Sequence, residues 1–150
     1  MLVYRIALEK YAHSLKASGR AARWNPNEVE IIYTSSNRSL ACLENVVHRS
    51  QHGLNQLFSV MTIQLDDSVE KEIIKLSDLP ADWREFSKMP LTQAIGEKWV
   101  HEKHTAILEV PSSIVEEEVN YLLNPRHKDF IKVQLLRTES FVFDTRIKLS

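Results

Sequence analysis

Apolar and polar positions alternate with a period of two in some stretches of the chain and recur at helical spacing in others. Val3 to Leu8 alternates around Arg5 and predicts a strand, and the β-branched run Val29 to Thr34 predicts another. Ser35-Ser36-Asn37 follows with helix-capping side chains. From Arg38 to Arg49, Leu40, Leu43, Val46 and Val47 return at helical spacing, so a helix with one apolar face is expected. Leu91, Ile95, Trp99 and Val100, after Pro90, predict a second helix. Further strands are expected at Leu57 to Leu65, Glu72 to Leu76, Ala106 to Val110 (stopped by Pro111), Phe130 to Leu136 and Glu139 to Phe143. The rest reads as connections: Tyr11 to Ala22 as irregular helix or loop, Pro80 to Phe86 as a turn or short helix carrying Trp83, and Asn120 to Pro125 as a turn. Strands outnumber helices and are not regularly interleaved with them. The expected class is therefore α+β, with mixed, mostly antiparallel strands and a few helices. No linker, repeat or low-complexity stretch interrupts the chain, so residues 1–150 are expected to form a single domain.

Composition narrows the chemistry. Only three glycines occur, Gly19, Gly53 and Gly96, too far apart for the dinucleotide fingerprint or the P-loop. Nineteen Lys+Arg against twenty Asp+Glu leave a formal net charge of −1, without the basic surplus of a protein built to hold a phosphate backbone. Ser50 to Leu65 carries no charge, but its Gln51, Asn55, Gln56 and Gln64 exclude an apolar membrane span. Arg5 and Glu9 break any signal-peptide core, and Cys42 has no second cysteine to pair with, so a cytoplasmic protein is expected.

Each reactive side chain has a structural alternative. His48 and His52 are four apart, but His101 and His104 are only three apart, one short of the zincin motif, so no metal site is expected. Cys42 falls in mid-helix and reads as packing. In Arg20-Ala21-Ala22-Arg23-Trp24-Asn25-Pro26, the planar fork of Arg23 suits a diphosphate and Trp24 could wall that site. The alternative is a surface arginine beside a core tryptophan. Glu44 falls at the border of the apolar stripe, where a carboxylate needs a partner or a task. Ser112 and Ser113 follow a buried strand without the glycine turn of a serine nucleophile, so Ser112 reads as a hydrogen-bond donor to a ligand or to the backbone.

Taken in order, Arg23-Trp24-Asn25, Ile32-Tyr33-Thr34-Ser35, Leu40-Ala41-Cys42-Leu43-Glu44 with Val47-His48, Val110-Pro111-Ser112, Asn120-Tyr121-Leu122-Leu123-Asn124-Pro125 with His127 and Phe130, and Phe143-Asp144-Thr145-Arg146 resemble the RES-domain toxins over essentially the whole chain. The Arg, Glu and Ser that name that family correspond to Arg23, Glu44 and Ser112. The resemblance implies a fold similar to the ADP-ribosyltransferase toxins and an activity that destroys NAD⁺ as a substrate, with no further cofactor. It also implies a cognate antitoxin of the Xre type that occupies or covers the active site. In this picture Arg23 holds the diphosphate, Glu44 stabilises charge on the ribose, and Ser112 bonds a ribose or amide group. Tyr33 stacks on or bonds the nicotinamide end, and Arg5 and Asn124 belong to the pocket wall. Relatives commonly carry Gly-Gly where this chain has Ala21-Ala22, and a glycine where it has Asn27-Glu28. Water, phosphate or a protein side chain as acceptor stays open, as do a homodimer and a non-enzymatic interaction module. An RNA-cleaving toxin is disfavoured by the balanced charge.

Overall fold

Seven strands make one sheet in the order β4-β5-β6-β2-β1-β3-β7, and both helices lie on one of its faces. The computed structural model describes residues 1–48 and 56–147. The strands are β1 (Leu2–Leu8), β2 (Ile32–Ser35), β3 (Phe58–Leu65), β4 (Lys71–Ile73), β5 (Ile107–Pro111), β6 (Val119–Leu123) and β7 (Val133–Phe141). The helices are α1 (Arg38–His48) and α2 (Met89–Glu102). β4 and β5 run parallel, and every other neighbouring pair is antiparallel. No helix among the described residues is long and apolar enough to cross a membrane.

Alternation along the strands sorts the core onto two faces. Ile6, Phe58 and Val60 pack against Ala41 of α1. On the same face, Leu108, Val110 and Leu122 meet Trp99 and Val100 of α2 together with Trp24 and Trp83. The reverse face carries Val3, Ile32, Met61, Ile63, Ile107 and Leu123, covered by Ala12, Leu15 and Ala17 of the segment after β1. Asn37 caps α1, its Oδ1 accepting the Leu40 amide at 2.8 Å, as the Ser-Ser-Asn sequence predicts.

Five local expectations are corrected. Asn120 to Pro125 is not a turn. Its first four residues belong to β6, because Asn120 spends its amide on Ser35 of β2 and Glu44 of α1 while Leu122 and Leu123 bury on opposite faces. The two strands expected between Phe130 and Phe143 are one edge strand, β7, preceded by a 3-10 turn at Lys128–Lys132. Its exposed charges, such as Arg137 bonded to Glu139 at 2.8 Å, imitate a break without making one. Glu72 to Leu76 shortens to Lys71–Ile73, and the strand after Val29 begins at Ile32 because Val29 closes a turn on Pro26. On α1 the buried residues are Leu40 and Ala41, while Leu43 and Val47 face outward. Arg49, His52 and Gly53 lie outside the described residues.

Gly96 fixes how the segment before β2 sits on α2. A Cβ added there would lie 1.7 Å from the backbone oxygen of Trp24, so only glycine admits the contact. Gly96→Ala is expected to lower the urea midpoint by the equivalent of about 1–3 kcal/mol, as overpacking does. An unchanged midpoint would contradict this seating.

Candidate active site

Between α1 and α2, above the middle strands, opens a cleft of about 620 Å³ whose walls include Arg23, Tyr33, Ser35, Glu44, Phe86 and Asn120. Its first wall is the loop from Gly19 to Glu28. Both end residues take positive φ, +70° and +72°, and the Glu28 amide donates to the Gly19 carbonyl at 2.7 Å. Glu28, where relatives often have glycine, thus holds a conformation that disfavours a side chain. Ala21 and Ala22 do not, since the positive-φ residues are elsewhere. Inside the loop, Asn25 Nδ2 donates to the carbonyls of Arg20, Pro26 and Val29 at 2.8, 3.1 and 2.9 Å. The Tyr33 hydroxyl donates to Asn25 Oδ1 at 2.6 Å and accepts the Trp24 amide at 3.0 Å. From the other side, α2 grips the same loop, with Gln93 Nε2 donating to the Ala22 carbonyl at 2.9 Å and Thr92 Oγ1 to the Arg23 carbonyl.

Tyr33 therefore has its hydroxyl engaged and offers the cleft its ring. Burial pushes its phenol well above the ordinary value, against the opposing influence of the Trp24 amide, so it stays neutral. Arg23 is anchored as well. Its Nη1 donates to the carbonyls of Trp83 and Glu85, both at 3.3 Å, and its Nη2 to that of Arg84 at 3.0 Å. A guanidinium has five N–H donors, so three are engaged. The buried Nε has no partner among the described residues. Nε–H and the remaining Nη2 proton are the donors left for an anion. Asn45 gives its Nδ2 to the Ile6 carbonyl at 3.1 Å, and its buried Oδ1 has no partner among the described residues. Arg23 and Asn45, both lining the cleft, thus each keep one buried polar atom without a partner among the described residues, as Thr62 and Trp83 do away from it.

Glu44 occupies the opposite wall, its side chain 19% exposed. Oε1 accepts from Asn120 Nδ2 at 2.6 Å and from Ser112 Oγ at 2.9 Å, while Oε2 lies 3.3 Å from Nε2 of His48. Burial, the largest single influence, pushes the carboxyl pKa up. The hydrogen bonds from His48, Asn120 and Ser112 outweigh it and hold the group below its ordinary value, so it is an anion at neutral pH. Tyr33 lines the same cleft as Arg23 and Glu44, and its phenol feels the charges of both.

The remaining expected site residues divide. Arg5 is in the wall, with Nη1 bonded to the Lys16 carbonyl at 3.1 Å. Ser112 is fully buried, and its Oγ accepts the amides of Ile114 and Val115, both at 3.1 Å, while donating to Glu44. Nothing of that hydroxyl is left for a ligand, so it acts through Glu44 and the turn. Asn124 is not brought to the cleft. It is buried at the far end of β6, where Nδ2 donates to the Val100 carbonyl at 3.1 Å and Oδ1 accepts the Arg126 amide at 3.0 Å. Among the described residues no group of three or more His, Cys, Asp or Glu could hold a metal ion. Sequence reasoning missed Asn25, Asn45 and Asn120, whose partners come from distant strands or bends that spacing does not reveal.

Comparison with known proteins places this geometry in context. The RES domain profile matches residues 2–144. The chain is 35% identical over 153 aligned residues to a protein named Toxin Res from Yersinia enterocolitica, covering 99% of this chain and 100% of that one. It is 35% identical over 127 residues to a protein named Prs ADP-ribosylating toxin from Sphingobium, covering 83% of this chain and 79% of that one. Its fold is similar to a chain in the crystal structure of the M. tuberculosis MbcT–MbcA toxin–antitoxin complex, with a TM-score of 0.76 at 16% identity, covering 94% of this chain and 84% of that one.

Removing the Tyr33 hydroxyl tests the loop directly. Tyr33→Phe strands Asn25 Oδ1 and the Trp24 amide, and is expected to cost about 1–3 kcal/mol of stability in denaturant titration while keeping the ring. Unaltered stability would contradict the hydroxyl's place in the loop.

Proposed function

The chain belongs to the RES-domain family, and from that premise we propose that it is the toxin of a toxin–antitoxin pair and depletes NAD⁺ by cutting its nicotinamide–ribose bond. The observation that carries this reading is that one cleft is lined by both an anionic Glu44 and Arg23, whose buried Nε has no partner among the described residues. An anionic diphosphate fits the arginine, and the Tyr33 ring in the same cleft suits the flat nicotinamide end.

The chemistry follows from the leaving group. Nicotinamide in NAD⁺ is cationic, so the C1′–N bond can break with its electron pair going to the ring nitrogen, and no general acid is needed. The positive, oxocarbenium-like charge that builds on the ribose is the costly part. A fixed carboxylate in a partly dry wall stabilises that charge more effectively than water does, because it is already oriented. The oxygen of water or phosphate then bonds to C1′ and releases its proton to solvent. Arg23 and Glu44 contact the substrate in this mechanism, and Ser112 is a positioning residue.

A second reading keeps the site and makes a protein side chain the acceptor. It is favoured by the similarity to the Sphingobium toxin, whose name specifies ADP-ribosylation. The partner under either reading is a cognate antitoxin of the Xre type covering the cleft, and the compartment is the cytoplasm. Purified protein incubated with NAD⁺ is expected to release nicotinamide, and Glu44→Gln to slow this roughly 10²–10³-fold, the loss seen when one preorganised electrostatic group is removed. Full turnover by folded Glu44→Gln would refute the role of Glu44. A mass increase on a target protein, with no free ADP-ribose or its phosphate, would replace the first reading by the second.

A further inference from the structure

We propose that Asn120 is a positioning residue that holds Glu44 by Oε1 and thereby leaves Oε2 as the oxygen presented to the ribose, an inference that rests on the function proposed above. The assignment starts in the sheet. Asn120 stands directly opposite Ser35 in the β2/β6 ladder and opposite Val110 in β5/β6, so both neighbouring strands fix its backbone. Its side chain is oriented too. The Ser35 hydroxyl donates to Oδ1 at 2.8 Å, which requires the carbonyl end of the amide to face Ser35 and turns Nδ2 toward Glu44. At 2.6 Å the Asn120 contact is the shortest of the three that Glu44 makes, against 2.9 Å for Ser112 and 3.3 Å for His48.

The consequence is a carboxylate with two unlike oxygens. Oε1 accepts from Asn120 and Ser112, both on elements fixed in the sheet or its adjoining turn, and has little capacity left for a substrate. Among the described residues Oε2 meets only the His48 ring, whose side chain is 60% exposed and free to swing into solvent when a ligand arrives. The charged group with a bearing on Glu44 among them is His48, whose charge and hydrogen bond both lower the carboxyl pKa, while Tyr33 on β2, which lines the same cleft, stays neutral. Neither Asn120 nor Ser112 titrates, so the hold on Oε1 persists across the working pH range. Asn120 thus fixes which oxygen is presented and, with His48 and Ser112, lowers the carboxyl pKa.

The test compares wild type with Asn120→Leu and Ser35→Ala. Two readouts are taken: nicotinamide release as a function of pH, and titration of the Glu44 carboxyl by ¹³C NMR. Asn120→Leu is expected to lower kcat about ten- to a hundredfold, the change corresponding to one hydrogen bond to a charged group, with KM for NAD⁺ within about twofold. The acid limb of kcat and the Glu44 titration should both move up toward the ordinary carboxylate value. Ser35→Ala leaves β6 untouched and should move them in the same direction by less, so it carries the test if Asn120→Leu does not fold. Unmoved Glu44 titration in the folded variants overturns the inference, whether kcat falls or not. Absence of nicotinamide release by wild type would instead remove the proposed function, while the titration alone still decides whether Asn120 holds the carboxylate.

Discussion

A carboxylate drawn out of water into the wall of a cleft must be given donors, or it takes up a proton. Glu44 is given three, and the fold is arranged to deliver them. β5 ends so that Ser112 reaches Oε1, and β6 brings Asn120 to the same atom. One turn along α1, His48 covers the other oxygen. The net result is a group held as an anion despite burial. The same sheet that supplies the donors forms the floor of the cleft, so the stability of the core and the charge of the site are secured by one set of strand pairings.

The opposite wall solves a different problem, that of holding an arginine without a glycine-rich loop. Asn25 closes the loop on itself through three backbone carbonyls, and Tyr33 ties that asparagine to β2. Gly96 lets the Trp24 carbonyl approach α2, where Thr92 and Gln93 bond the preceding carbonyls. Arg23 then spends three of its donors on the turn at residues 83–85, which seats the exposed Phe86 at the cleft. What remains, the buried Nε and one Nη2 proton, belongs to a side chain that cannot easily reorient. A fixed donor pair loses less entropy on meeting an anion than a free one.

Periodicity made most of the sheet and both helices legible, because β1, β2, β3 and α2 carry strong alternation or helical spacing. It failed where polar residues serve tertiary partners. Asn120 looks like a turn former and is a strand residue with two distant partners. Leu43 and Val47 look like the inner face of α1, whereas Ala41, Glu44, Asn45 and His48 line the cleft. Arg23 and Glu44 were readable as a pair through the family pattern, and the structure brings both to one cavity. Ser112 matched the same pattern but acts through Glu44, and Asn124 matched it while packing elsewhere, since sequence order says nothing about which side of a strand's end a side chain serves. Ala21 and Ala22, where the family pattern has Gly-Gly, sit at ordinary φ, while the positive φ in this loop falls on Gly19 and Glu28.

The most direct measurement is a crystal structure of the Glu44→Gln protein soaked with NAD⁺, in which slowed cleavage lets the intact dinucleotide be seen. The expected result is diphosphate oxygens on the Nε edge of Arg23, the nicotinamide ring against Tyr33, and the ribose C1′ facing the amide at position 44. A dinucleotide bound outside the cleft, or seated in it with the ribose turned away from position 44, would contradict the assignment of Arg23 and Glu44.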